Sequence, residues 1–175
     1  MVKYIFVIFL VILLGGCIGH QNLVLTRQNN LSQKIALNGY FFTVWNNKYY
    51  DPIFLYENGV VLHGFNEKYE LNIDSLDRQF LSHSFLNNNG YREKVRYKWG
   101  LYQIKGDSII IERYAVPIFG ERHQTYVAKG VIINNQQFVL THVRFIKDGR
   151  EKAIRDTFNF RPLPIKPDST NNFIQ

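Results

Sequence analysis

Between residues 37 and 160 the chain alternates short runs of aromatic and β-branched residues with clusters of Gly, Asn and Asp, a pattern of strands joined by turns. The first run covers residues 37–46. Residues 53–56 and 60–65 flank Glu57-Asn58-Gly59, where Asn-Gly predicts a tight hairpin of type I′. Residues 97–104 and 108–114 flank Lys105-Gly106-Asp107, a second glycine turn. Residues 125–133 and 137–146 flank Asn134-Asn135, and Lys147-Asp148-Gly149 turns the chain into a last run at 153–160. About eight strands are predicted, and their short connections make sequence neighbours antiparallel neighbours in space.

One segment departs from the strand pattern. Ile73, Leu76, Phe80, Leu81 and Phe85 fall on one half of a helical wheel, as an amphipathic helix requires. Asp74, Ser75 and Asp77 suit the positive start of that helix, and Asn87-Asn88-Asn89-Gly90 suits its end.

Several strands carry apolar residues on both faces. Leu37, Phe41 and Trp45 share one side of the first run, while Tyr40, Phe42 and Val44 share the other, so both faces need covering. A meander of about eight strands removes its edges by closing into a barrel, with the helix over one face or one mouth. A half-open sheet packed on the helix is the alternative. For residues 138–146 the phase is open: His142 and Arg144 share a side with Phe138 and Leu140, and the expectation is that Val139, Thr141, Val143 and Phe145 turn inward.

The two ends differ from this middle. Lys3 precedes an apolar run at residues 4–14, too short for the roughly 20 residues that span a bilayer and of the length found in secretory signals. Residues 18–32 are polar, with Gln28-Asn29-Asn30, and read as a tether. Residues 162–175 hold three of the five prolines and the polar run Asp168-Ser169-Thr170-Asn171-Asn172, and read as a flexible tail. The expected organisation is a signal peptide at 1–16, a lipidated N-terminus and tether at 17–33, a barrel-like domain at 34–161 and the tail at 162–175.

The lipid enters through a resemblance. Leu14-Gly15-Gly16-Cys17 resembles the lipobox of bacterial lipoproteins. This implies a diacylglyceryl thioether on Cys17, cleavage before it, and acylation of the new amino group. Two or three acyl chains hold a protein stably at a membrane, since each buried methylene contributes about 0.8 kcal/mol. Cys17 is the single cysteine of the chain, so no disulfide framework is available and stability must come from a packed core. With Ile18 rather than aspartate following Cys17, the best-known sorting scheme for two-membrane bacteria implies the outer membrane, with the domain facing the periplasm.

Composition narrows the class without naming a function. A hydrophobic fraction of 46% and an aromatic fraction of 15%, with fourteen Phe and eleven Tyr, argue for a globular β-rich fold and against disorder. The formal net charge of +7 favours anionic surfaces such as lipid headgroups, and nucleic acid is not an expected partner outside the cytoplasm. Arg92, Lys94, Arg96 and Lys98 would form a basic stripe if their segment were a strand, either as a docking face or as the solvent side of an edge.

Catalytic motifs are missing. The five histidines show no metal spacing, and His63 and Glu67 do not form a helical H-E-x-x-H pair, so no metal, cofactor or catalytic residue is assigned. There is no G-x-S-x-G elbow, phosphate-binding glycine loop or framed carboxylate pair, although a site assembled from distant residues stays open.

A second resemblance concerns the domain. Leu37-Asn38-Gly39-Tyr40, then Trp99-Gly100-Leu101-Tyr102 leading through Lys105-Gly106-Asp107-Ser108 into Ile109-Ile110-Ile111, is similar to the small lipocalin-like lipoproteins of bacterial envelopes. It implies a barrel and carries no catalytic residue. The functional expectation is a membrane-anchored, non-enzymatic lipoprotein that binds a small apolar ligand or another envelope protein. An envelope hydrolase built from dispersed His, Asp and Glu residues is the alternative.

Overall fold

A computed structural model describes residues 22–45, 47, 49–64, 72–82, 85–86, 95–115 and 124–174. Among these, eight strands form a closed antiparallel barrel in simple sequence order: β1 (Gly39–Trp45), β2 (Tyr49–Leu55), β3 (Val60–His63), β4 (Trp99–Lys105), β5 (Ser108–Tyr114), β6 (Thr125–Asn134), β7 (Gln137–Phe145) and β8 (Glu151–Pro162). Pairing of Phe41 with Phe160 and of Phe42 with Asn159 joins β1 to β8 and closes the ring. The closed barrel expected from the sequence is thus the observed one, and the half-open alternative falls away.

The turns follow local chemistry, with one correction. Gly106 has φ +60° and opens a two-residue turn between Lys105 and Ser108, the geometry of type II′. At the first hairpin only Gly59 takes a left-handed φ, +78°, and its N–H donates to the Tyr56 carbonyl. A type I′ turn needs positive φ at both central residues, so this is instead a three-residue connection ending in a left-handed glycine. It sets the register in which Leu55 faces Val61 and Ile53 faces His63.

Helix α1 (Ile73–Phe80) begins one residue before the expected acidic start, where the Asn72 side chain accepts from the Ser75 N–H. It ends at Phe80, with Leu81 already exposed, and Phe85 returns to the core from a separate helical turn. Arg161 of β8 clamps the helix to the barrel. Its guanidinium donates to Asp77 at 2.6 and 3.0 Å and to Asp74 at 3.0 Å, while the Tyr40 hydroxyl donates to Asp77 at 2.7 Å. Burial first, then Asp77, raises the Tyr40 pKa and keeps its hydroxyl protonated.

Two apolar cores result. Inside the barrel lie Phe41, Ile53, Leu55, Val61, Tyr102, Ile109, Ile111, Phe138, Leu140 and Phe158, with Phe138 stacked on Phe158 at 4.8 Å. Outside it, on the wall of β1–β4, Tyr40, Phe54, Leu62, Trp99 and Leu101 pack beneath Leu76, Phe80 and Phe85. The helix thus covers a wall and not a mouth, and the doubly apolar strands are those between the two cores.

The described residues before β1 and after β8 join the outer wall. Val24 and Leu25 donate their N–H groups to the carboxylate of Glu112, which is fully buried, at 2.6–2.9 Å, and Gln103 donates to the Thr26 carbonyl. Farther along, Asn30 bonds Glu57, Lys34 pairs with Asp107, and Ile35 enters the inner core. Residues 22–33, within the expected tether, therefore form a strap along the barrel. In the same outer core, Leu163 and Ile174 of the expected tail are buried, and Lys166 donates to the carbonyls of Leu37 and Leu55.

β7 changes phase partway. A bulge between Leu140 and His142 lets Phe138 and Leu140 face inward and then turns Val143 and Phe145 inward too, leaving His142 and Arg144 exposed. The expected inward set is thus right after the bulge and wrong before it. No helix among the described residues is long and apolar enough to cross a membrane.

Candidate functional site: the open end of the barrel

The inward side chains divide the barrel along its axis. At one end, the base, marked by the turns at 57–59, 106–107 and 135–136, the inward residues are apolar and buried or, at Ile104 and Phe160, partly buried. At the other end, the mouth, the same strand faces carry Thr43, Asp51, His63, Arg113, Tyr126, Phe145, Ile154 and Asp156, all partly or largely exposed. Every second residue of these strands points inward, so the mouth belongs to the same faces that fill the core below.

His63 and Asp51 meet at this end. The hairpin register places Ile53 directly opposite His63, which makes Asp51 its diagonal neighbour, and Asp51 Oδ1 lies in hydrogen-bond contact with His63 Nε2. Their side chains keep 32% and 17% of their surface accessible. Burial in the barrel lowers the His63 pKa, and the Arg113 guanidinium lowers it further, against the opposing pull of Asp51. Burial raises Asp51, but the attraction of His63, its hydrogen bond, and Arg113 hold the carboxyl below the ordinary range. At neutral pH the pair is therefore a carboxylate accepting from a neutral imidazole N–H.

Arg113 crosses the mouth from β5. Its guanidinium stands 5.4 Å over the Tyr126 ring, and its Nη1 is buried with no hydrogen-bond partner. Gly100 makes its course possible: a Cβ there would meet the Arg113 Cγ at 2.7 Å and the Glu112 carbonyl at 2.1 Å. The glycine of Trp99-Gly100-Leu101-Tyr102 thus has a local reason. Burial raises Tyr126, keeping it a neutral donor beside the cation.

The other sequence candidates sort as follows. Cys17 lies outside the described residues, as do Arg92, Lys94 and Glu67. Arg96 and Lys98 lie in a single 3₁₀ turn (Arg96–Lys98) and not in a strand, so the basic stripe is corrected. Lys98 is buried, and Arg96 sits between the rings of Tyr114 and Phe173 at 5.2 and 5.1 Å. No group of three or more metal-ligating side chains occurs among the described residues. Asp51, His63, Arg113 and Tyr126 were missed as a set, although their inward parity beside Ile53, Val61, Ile111 and Ala128 marks ionisable groups where apolar ones are due.

Chemically, the arrangement offers one unsatisfied guanidinium donor, one neutral imidazole and one phenol on the inward faces at the mouth end of the barrel. These are recognition groups for an anionic or strongly polar head. Comparison with family models, with curated proteins and with solved structures gave no match.

Proposed function

We propose that the chain is a lipid-anchored envelope lipoprotein that acts by binding, not catalysis, with the mouth of its barrel as the contact surface. The anchor is Cys17 in the lipobox-like Leu14-Gly15-Gly16-Cys17, and the membrane is the outer one, with the domain on its periplasmic side. The observation carrying the binding role is the axial division of the barrel. Side chains from Ile53, Ile111, Phe138 and Phe158 fill the lower half, while Arg113 keeps a buried, unpartnered Nη1 at the partly exposed upper end. The ligand that fits is amphiphilic: a polar or anionic head bonded by Arg113 in place of its missing partner, and an apolar part against Trp45, Tyr49 and Phe145.

Native mass spectrometry of the mature protein, extracted from membranes in mild detergent, tests this. A copurifying amphiphile that disappears in Arg113→Ala, with the fold intact by circular dichroism, supports it. A bare mass in both proteins counts against the small ligand and leaves binding of another envelope protein, to be sought by crosslinking. Labelling with a palmitate analogue tests the anchor, which Cys17→Ser must abolish.

A hydrolase is the second reading, and the Asp51–His63 pair favours it, since a carboxylate-oriented imidazole is a general base. Against it, no hydroxyl or thiol is hydrogen-bonded to His63 among the described residues. Hydrolysis of ester or amide substrates that is abolished in His63→Ala would carry that reading instead.

A further inference from the structure

We infer that the mouth of the barrel faces the membrane that holds the anchor, so that its rim rests on the lipid surface and its ligand comes from that leaflet. The inference rests on the lipid anchor at Cys17 and adds an orientation to it. The strap supplies the geometry. From Lys34 at the base turn it climbs past Thr26 beside Gln103 to Val24 beside Glu112, so its first residues lie toward the upper end of β5. Asn22 and Leu23 line a cavity with Arg96 and Tyr114, and Tyr114 is the last residue of β5 on the mouth side. The first described residues therefore lie beside the mouth end of β5.

Reach favours the mouth. Five residue steps separate Cys17 from Asn22. Fully extended they span about 17 Å, and as flexible coil about 12 Å on average. The six steps from Tyr114 to Ser108 put the base about 20 Å farther along the strand, or about 15 Å along the axis of a barrel whose strands tilt by about 40°. A barrel standing on its base would need that linker held near full extension, well beyond its coil average. Leu31, Val131, Ile133 and Ile165, the exposed apolar residues toward the base, are on this orientation held away from the lipid.

The rim has the residues that an interface takes. Val44 and Trp45, at the end of β1, are 44% and 61% exposed, and Trp45 lies 6.4 Å from the Tyr49 ring. Tryptophan and tyrosine favour the level of lipid headgroups, where an apolar ring meets a polar edge. Across the mouth, Arg144, Lys147, Arg150 and Lys152 outnumber Asp148 and Glu151 around the β7–β8 turn, which suits an anionic surface.

The test uses the two tryptophans. Trp99 is buried in the outer core, so Trp45 is the reporter that a membrane can reach. The mature acylated protein is reconstituted in vesicles with brominated phospholipid, and flotation and the acylated Cys17 mass are checked first. Quenching of wild-type fluorescence that is absent in Trp45→Phe is the expected result. In the Trp45→Phe background, Ile133→Trp places a reporter near the base and stays unquenched. A floating protein with Trp45 unquenched, or with the Ile133→Trp reporter quenched, overturns the orientation while leaving the anchor. A protein that neither floats nor carries acyl mass overturns the anchor, and the orientation with it.

Discussion

His63 illustrates how a single inward position couples a binding cup to stability. Its pKa is lowered in the fold by burial and by Arg113, so the unfolded chain takes up a proton near the ordinary histidine value of 6.5 that the native state refuses. Native stability is therefore present above that pH and is lost as pH falls below it. Asp51, held low, adds a further loss below its ordinary 3.8. Urea melts of the wild type are expected to show a lower midpoint at pH 5.5 than at pH 7.5, and His63→Gln to show a smaller difference. An unchanged difference would remove His63 as the source. The Asp77 carboxylate works at the same scale: it receives both Tyr40 and Arg161. Asp77→Ala leaves the Tyr40 hydroxyl without its acceptor and is expected to cost about 2 kcal/mol in chemical unfolding. Neither residue stands out by type in the sequence. What was legible was parity, because Asp51 and His63 occupy the phase of Ile53 and Val61; what was not legible was Arg113, whose place depends on Gly100 in another strand.

Elements were more legible than their phases. Eight strands and one helix follow from alternation, turn glycines and a helical wheel, because each is decided by neighbours within a few residues. The bulge after Leu140 is different, since the extra residue of β7 opposite Lys129 and Gly130 of β6, and the further one in β8 opposite β7, leave no local mark. The same holds for the end of α1. Leu81 continues the apolar wheel, yet the chain turns at Phe80, because Phe80 packs edge-on against Tyr40 and Phe54 at 4.9 Å and Phe85 fills the remaining space beside it. The helix is short and held by packing rather than by its own hydrogen bonds. Leu76→Ala, at a fully buried position under α1, is expected to lower stability by about 3 kcal/mol. Hydrogen exchange localises the effect: amides of α1 should lose more protection than those of β6 and β7, and uniform loss would mean that helix and barrel open together.

The boundary of the whole molecule is where sequence reading was weakest. Polarity marked residues 22–33 as a tether, but polar residues also build a strap when the barrel supplies partners for the backbone. Glu112 supplies them, and its carboxylate is fully buried because Val24 and Leu25 donate to it. Removing the strap takes away those donors and opens Glu112 to water, which replaces part of the lost hydrogen bonding. It also uncovers the wall around Leu101, where Leu23 and Leu25 pack. A chain beginning at Asn22 is therefore expected to melt like the mature protein, whereas one beginning at Lys34 should melt well below it. Glu112→Gln in the longer chain separates the two causes. The amide removes the charge and one acceptor but keeps the apolar cover, so its midpoint should fall between the other two. Equal melting of the chains beginning at 22 and 34 would make the strap an ornament of the fold, and would weaken the orientation argument, which needs residues 22–26 to stay on the wall beside the mouth.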